Sequence, residues 1–183
     1  MKEFLEYAGA LVIGGMVFLM LIGVFTSIQR EAVAGTIKSA VQSDFSGATE
    51  ALEYDFRKIG YGVADSMTVA VADSCLVSFK ADIDDLGIVD SVTYWLDPAP
   101  DALSANPRTH VLYRKKNAGA PTFFAHGVTD FRLSYFDQGG SLTTIPRNIR
   151  FMRVALAIEG STQVNEIYPG VCWERTFRPK NLR

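Results

Sequence analysis

A chain of 183 residues, 48% of them hydrophobic, is long enough for one domain with a real core beside an apolar anchor. Its formal net charge of −2 and sequence pI near 5.7 exclude the strongly basic balance that would make nucleic acid an obligatory partner. The two cysteines permit one disulfide and fit no zinc pattern.

Residues 7–29, YAGALVIGGMVFLMLIGVFTSIQ, carry no charge. Crossing the hydrocarbon core of a bilayer takes about twenty apolar residues as a helix, and this run meets that length. A helix buried in a soluble core would show a polar stripe over the same distance, and none is present. A cleaved signal peptide would have a basic flank and a short apolar core. Here the flank Lys2-Glu3-Phe4-Leu5-Glu6 is acidic and the apolar core is too long. An A-x-A match follows the apolar run, Ala32-Val33-Ala34, but it lies beyond Arg30 and Glu31, so a retained anchor over residues 1–29 is expected. The flanking charges, Lys2 against Arg30 and Lys38, orient it weakly.

From there the pattern becomes amphipathic. Val33, Ile37, Val41, Phe45, Ala48, Leu52, Phe56 and Ile59 recur at steps of three and four, one stripe on a 3.6-residue helix. No proline separates the two segments, so one helix over residues 4–59 is expected, with Gly60-Tyr61-Gly62 as its stop. Residues 30–62 form its amphipathic part.

After Gly62 the period falls to two, and residues 63–183 read as an antiparallel β domain. Strand alternation runs through Met67-Thr68-Val69-Ala70-Val71, through Cys75 to Ala81, and through Val92, Tyr94 and Leu96. It returns at Val111-Leu112-Tyr113-Arg114, at Phe131, Leu133 and Tyr135, at Met152 to Ile158, and at Val171 to Phe177. Pro98, Pro100 and Pro107 mark an irregular loop. Short turns and the lack of a second long helix exclude parallel crossovers. The only long amphipathic surface is the stripe from Val33 to Ile59, so the fold class is α+β, the long helix packed on an antiparallel sheet.

Chemistry is sparse. His110 and His126 stand without a second ligand nearby in sequence, and no nucleophile elbow, phosphate loop or metalloprotease helix is present. The turn bearing Asp82, Asp84 and Asp85 comes nearest to a metal site, but Leu86 stands where an EF-hand spacing wants an oxygen. A plain hairpin turn is the simpler account, and no cofactor is expected. Arg147, Arg150, Arg153, Arg175, Arg178 and Lys180 could gather into a basic patch or serve as a solvated sheet face. A bridge between Cys75 and Cys172 would close a loop of about 100 residues, stabilising by about 4–5 kcal/mol. Against it, Cys75 alternates with core-type residues, whereas Cys172 shares a face with Glu174 and Thr176.

The order of these parts resembles type IV pilins and pseudopilins. Several stretches are similar to the minor-pilin branch, with the PilW-like pilins and the J pseudopilin of type II secretion. They are Leu52-Glu53-Tyr54-Asp55-Phe56-Arg57-Lys58-Ile59-Gly60-Tyr61, Phe79-Lys80-Ala81-Asp82-Ile83-Asp84-Asp85-Leu86-Gly87, Val92-Thr93-Tyr94-Trp95-Leu96, the run Gly127 to Asp137, and Arg178-Pro179-Lys180-Asn181-Leu182. The resemblance implies a structural subunit, not an enzyme, whose helix assembles with other pilin-like subunits into an envelope-spanning or extracellular filament. It implies a single-pass membrane protein with the β domain outside the cytoplasm. Calcium in some pseudopilins and DNA contacts in some minor pilins make both thinkable for the acidic turn and the basic patch.

One departure concerns the start. Prepilins carry a glycine before a Phe-Thr-Leu-Ile-Glu-like segment, and here Phe4-Leu5-Glu6 follows Met1-Lys2-Glu3 directly. Counted without Met1, Glu6 falls fifth, where pilins place their assembly glutamate. The expected subunit-contact residues are therefore Glu6, Ala10, Gly14, Val33 and Ile37, Ala10 and Gly14 as small residues four apart. The competing class is a single-span anchored module that binds a partner outside any filament. Such a module would more often join its anchor through a flexible Gly, Ser or Pro linker.

Overall fold

The computed structural model describes residues 2–64, 67–164 and 166–182, without the side chains of Phe4, Leu5 and Glu6. One helix, α1 (Lys2–Arg57), is followed by β1 (Val69–Ala72), β2 (Leu76–Ala81), β3 (Asp90–Pro100), β4 (His110–Lys116), β5 (Thr122–Phe136), β6 (Phe151–Glu159) and β7 (Gly170–Phe177). A 3₁₀ turn, Pro146–Asn148, precedes β6. The chain divides into two compact units, Met1–Ser39 and Ala40–Arg183.

The first unit is the N-terminal part of α1. Side chains 7–33 are all exposed, Leu11 at 78% and Leu19 at 68%, because the unit holds no second apolar surface. This helix is long and apolar enough to cross a membrane. Two of its hydroxyls bond back to the helix, Thr26 Oγ1 donating to the Gly23 carbonyl and Thr36 Oγ1 to that of Ala32.

The second unit is α+β, as the patterning predicts. Val41, Phe45, Ala48, Leu52, Phe56 and Ile59 are all buried, which places the stripe from Val41 onward in the core. The helix gives way to tighter turns at Lys58 and Tyr61, and Gly60 takes φ +77°, a left-handed stop available to glycine. The seven strands form an antiparallel meander in sequence order.

The sheet is curled around the helix. The Phe56 ring lies 5.7 Å from Phe79 on β2, 5.7 Å from Tyr94 on β3 and 5.6 Å from Phe177 on β7, centroid to centroid. In a flat sheet β2 and β7 would stand about 24 Å apart at ~4.8 Å per strand, so one ring could not touch both. The long strand β5 lets the sheet bend by changing partners. Thr122–Val128 pairs with β4, Val128–Phe136 pairs with β6, and the register shifts on either side of Val128. Where the second half of β5 leaves β4, the Ser74 carbonyl of the β1–β2 turn accepts from the Leu133 amide at 2.8 Å.

The proline loop expected at residues 98–107 begins later. β3 runs through Pro98 to Pro100, which pairs with His110. Pairing with β2 ends at Trp95, so these prolines sit where the strand has one open side and their missing amides break no ladder.

Candidate functional site

The sequence-predicted contact residues all lie on α1. Ala10 and Gly14 are exposed, and a Cβ placed on Gly14 would meet nothing within 4 Å. Val33 is 59% exposed and Ile37 half-buried. The two i,i+4 pairs are offset around the helix by about two-fifths of a turn at 3.6 residues per turn. The Glu6 side chain lies outside the described residues.

The acidic turn is built as a capped hairpin turn, with its charges engaged by protein cations. Asp82 accepts from the amides of Leu86 and Gly87 at 3.1 and 2.9 Å. Asp85 pairs with Lys58 at 2.7 Å, and Asp84 with Lys116 at 2.8 Å. Lys116 also lies 3.0 Å from buried Asp90. The Lys116 hydrogen bond holds Asp84 below the usual carboxylate range, and its bonds to Asp84 and Asp90 raise Lys116 in turn. Burial works against the Lys58 charge, yet Asp85 and Tyr54 raise its pKa overall. These pairs tie β4 and Lys58, the residue after α1, to the turn. Among the described residues no group of three or more His, Cys, Asp and Glu side chains is disposed to hold a metal.

The basic residues divide. Arg175 binds Glu53 on α1, and Arg153 lies 3.5 Å from Glu174. Arg150 donates to the carbonyls of Arg147 and Ile149, and Arg178 packs over the Phe151 ring at 4.7 Å. Arg147, Arg150, Arg178 and Lys180 have no carboxylate partner among the described residues. Arg178 borders two openings. One is a cavity of about 420 Å³ that also meets Arg57, Lys58, Tyr61, Phe177 and Lys180. The other, about 650 Å³, meets Arg150, Phe151 and the Gly139-Gly140 turn.

His110 and His126 are anchored, not ligands to one another. His110 Nδ1 lies 2.9 Å from the Asp97 carbonyl. His126 Nδ1 lies 3.0 Å from buried Asp101, a carboxylate 25 residues away that local spacing could not reveal. Burial opposes the Asp101 charge, but the Leu103 amide, His126 and the Gly127 amide outweigh it and lower the pKa. The cysteine bridge is not formed. Both thiols are free and exposed, Cys75 in the β1–β2 turn and Cys172 on β7, and Cys75 is thus not a core position.

Sequence reading passed over a buried polar cluster. Asp55 Oδ2 accepts from Tyr94 Oη at 2.7 Å and from Arg114 Nε at 2.8 Å. Burial and the adjacent carboxylate push Tyr94 well above the usual phenol range. The signal was present: Asp55 lies three residues after Leu52 and four before Ile59, inside the apolar stripe.

Compared with protein-family models the chain matches none, and no curated protein matches its sequence.

Proposed function

We propose that this chain is a pilin-like structural subunit, a minor pilin or pseudopilin, anchored by one membrane span and assembled through α1 into an envelope-spanning or extracellular filament. The observation that carries the reading is the division of labour within α1. Residues 7–33 are exposed and mostly apolar, whereas Val41, Phe45, Ala48, Leu52, Phe56 and Ile59 are buried in the core of a folded β domain. A bilayer covers such a span in the unassembled chain, and neighbouring spans cover it in a bundle. The helix also continues through residues 30–40 without the Gly, Ser or Pro linker of a tethered module.

In this reading Ala10 and Gly14 let neighbouring helices approach closely, and Val33 and Ile37 continue the contact beyond the membrane. Partners are other pilin-like subunits. The β domain lies outside the cytoplasm, and neither catalysis nor a cofactor forms part of the role. The test is direct. Cells expressing the chain are sheared and the released fraction is imaged and immunoblotted. Labelled filaments support assembly, and a chain found only in membranes supports the anchored binding module instead.

A further inference from the structure

We infer that the β domain carries a knob and a matching cavity at opposite ends of β7, through which one copy of this chain docks head-to-tail on the next. The inference rests on the filament reading and names the contact between neighbouring β domains.

The knob is the tip of the β6–β7 connection. Val164 and Ile167 exchange backbone hydrogen bonds at 2.8 and 3.1 Å, which closes a tight turn. Glu166 holds φ +65° in it, a left-handed conformation costly for a residue without special turn chemistry. Ile167 is 71% exposed, and Glu166 is exposed beside it with no hydrogen bond or ion pair among the described residues. An exposed β-branched side chain thus stands beside an exposed acid at this turn.

The cavity begins where β7 ends. Phe177 and Tyr61 line it, and Arg178 and Lys180 stand at it with no carboxylate partner among the described residues. The other two cations there are already neutralised, Arg57 by Glu53 and Lys58 by Asp85. Its volume of about 420 Å³ accommodates an isoleucine side chain with a carboxylate at the mouth. The occupant that fits is therefore apolar and acidic together, the chemistry of Glu166 and Ile167. A nucleic-acid backbone or an anionic lipid surface would meet the cations and leave the apolar surface unused.

The two features cannot meet within one chain. The eight residues of β7 separate them by about 26 Å at ~3.3 Å per residue. A contact between different patches on identical copies is heterologous, and it propagates unless a rotation happens to close it. Each added copy would leave one free knob and one free cavity, as an open filament requires.

The test uses the full chain in membranes of expressing cells, with Cys75→Ser and Cys172→Ser as background. Ile167→Cys and Asn181→Cys, introduced together, place one thiol at each end. Mild oxidation is expected to give a ladder of dimers, trimers and higher adducts of this chain, absent when either cysteine is introduced alone. Arg178→Glu is expected to reduce the ladder at least tenfold, and adding Glu166→Arg to restore it. Sheared filaments without a ladder would overturn the docking and leave the filament reading intact. Absence of filaments as well would overturn both. A ladder unaffected by Arg178→Glu, or an adduct with a different envelope protein in its place, would also overturn the docking between copies.

Discussion

Asp55 on α1 and Arg114 on β4 stand 59 residues apart in sequence and are joined by a 2.8 Å hydrogen bond from Nε to Oδ2. Only 6% of the aspartate side chain is exposed, against 24% of the arginine. A buried carboxylate of this kind is tolerated because two donors engage it, and removing one partner strands the other. Asp55→Ala is expected to destabilise the domain by about 3–5 kcal/mol. Arg114→Ala costs less, because the Tyr94 hydroxyl still serves the carboxylate. The double variant should lose clearly less than the two single losses combined, measured by urea unfolding of detergent-solubilised chain with tryptophan fluorescence.

The same cluster makes stability depend on alkaline pH. Burial, then Asp55, raise the Tyr94 pKa above its ordinary 10.0, with Arg114 pulling the other way. Above pH 10 the unfolded chain releases a phenolic proton that the folded chain retains. The contribution of Tyr94 is therefore complete below pH 10 and is lost as pH rises through the folded pKa. Tyr94→Phe should lower stability by about 1–2 kcal/mol at neutral pH through the lost hydrogen bond. It should also make the alkaline decline shallower. A residual decline remains from Tyr135, Lys58 and Lys116, whose pKa values are likewise raised. Urea midpoints across the range from about pH 8 to pH 11 read both effects.

The helix and the strands were legible because each buries one periodic face, and periodicity survives in a single sequence. Asp55 was hidden by the same rule, since a carboxylate in an apolar stripe reads as a gap until Tyr94 and Arg114 arrive from other strands. The curl was hidden too. Alternation along β5 says which residues face inward, but not that its neighbour changes at Val128. Pro98 and Pro100 read as loop because the open side of β3 becomes visible only when β2 stops pairing. Ala10, Gly14, Val33 and Ile37 were legible as small or apolar positions on a helix, and in the proposed assembly their contacts would belong to a second chain.

A direct test of the division within α1 compares Leu52 with Val33. Leu52 is fully buried and Val33 is 59% exposed. Leu52→Ala should cost about 2–5 kcal/mol, because truncation removes packing and leaves a void. Val33→Ala should leave the thermal melting of the β domain unchanged and reduce recovery of the chain in sheared filaments. Equal melting of the two variants would show that the helix is not divided in this way.

Gly127 stands just before the change of partners on β5. Its φ is +71°, and an added Cβ would lie 2.6 Å from the Glu159 carbonyl oxygen, a backbone atom with little freedom to withdraw. Gly127→Ala therefore meets both backbone strain and a clash and should destabilise by about 2–4 kcal/mol. Gly87, at φ +76° with nothing within 4 Å of its Cβ, is the control. Gly87→Ala meets the strain alone and should lose about 1–2 kcal/mol. Thermal melts of the two variants side by side separate clash from strain.

Glu6 supplies the last test, argued from sequence and the proposed assembly. Lys2, Glu3 and Glu6 lie at the edge of an uncharged run reaching from Tyr7 to Gln29. A carboxylate there escapes hydrocarbon by reaching the interface while the helix stands alone in a bilayer. Within a packed bundle the helix end is drawn among other apolar helices, and the carboxylate then requires a cation. Lys2 of a neighbouring subunit is the nearest source in the sequence. Glu3 lies further from the apolar run and remains hydrated in either state. Glu6→Gln should therefore insert into membranes as the parent does and fall at least tenfold in the filament fraction, whereas Glu3→Gln should change neither. Fractionation and immunoblotting give the membrane-to-filament ratio for each variant, and equal incorporation of Glu6→Gln and the parent would remove the assembly role from Glu6.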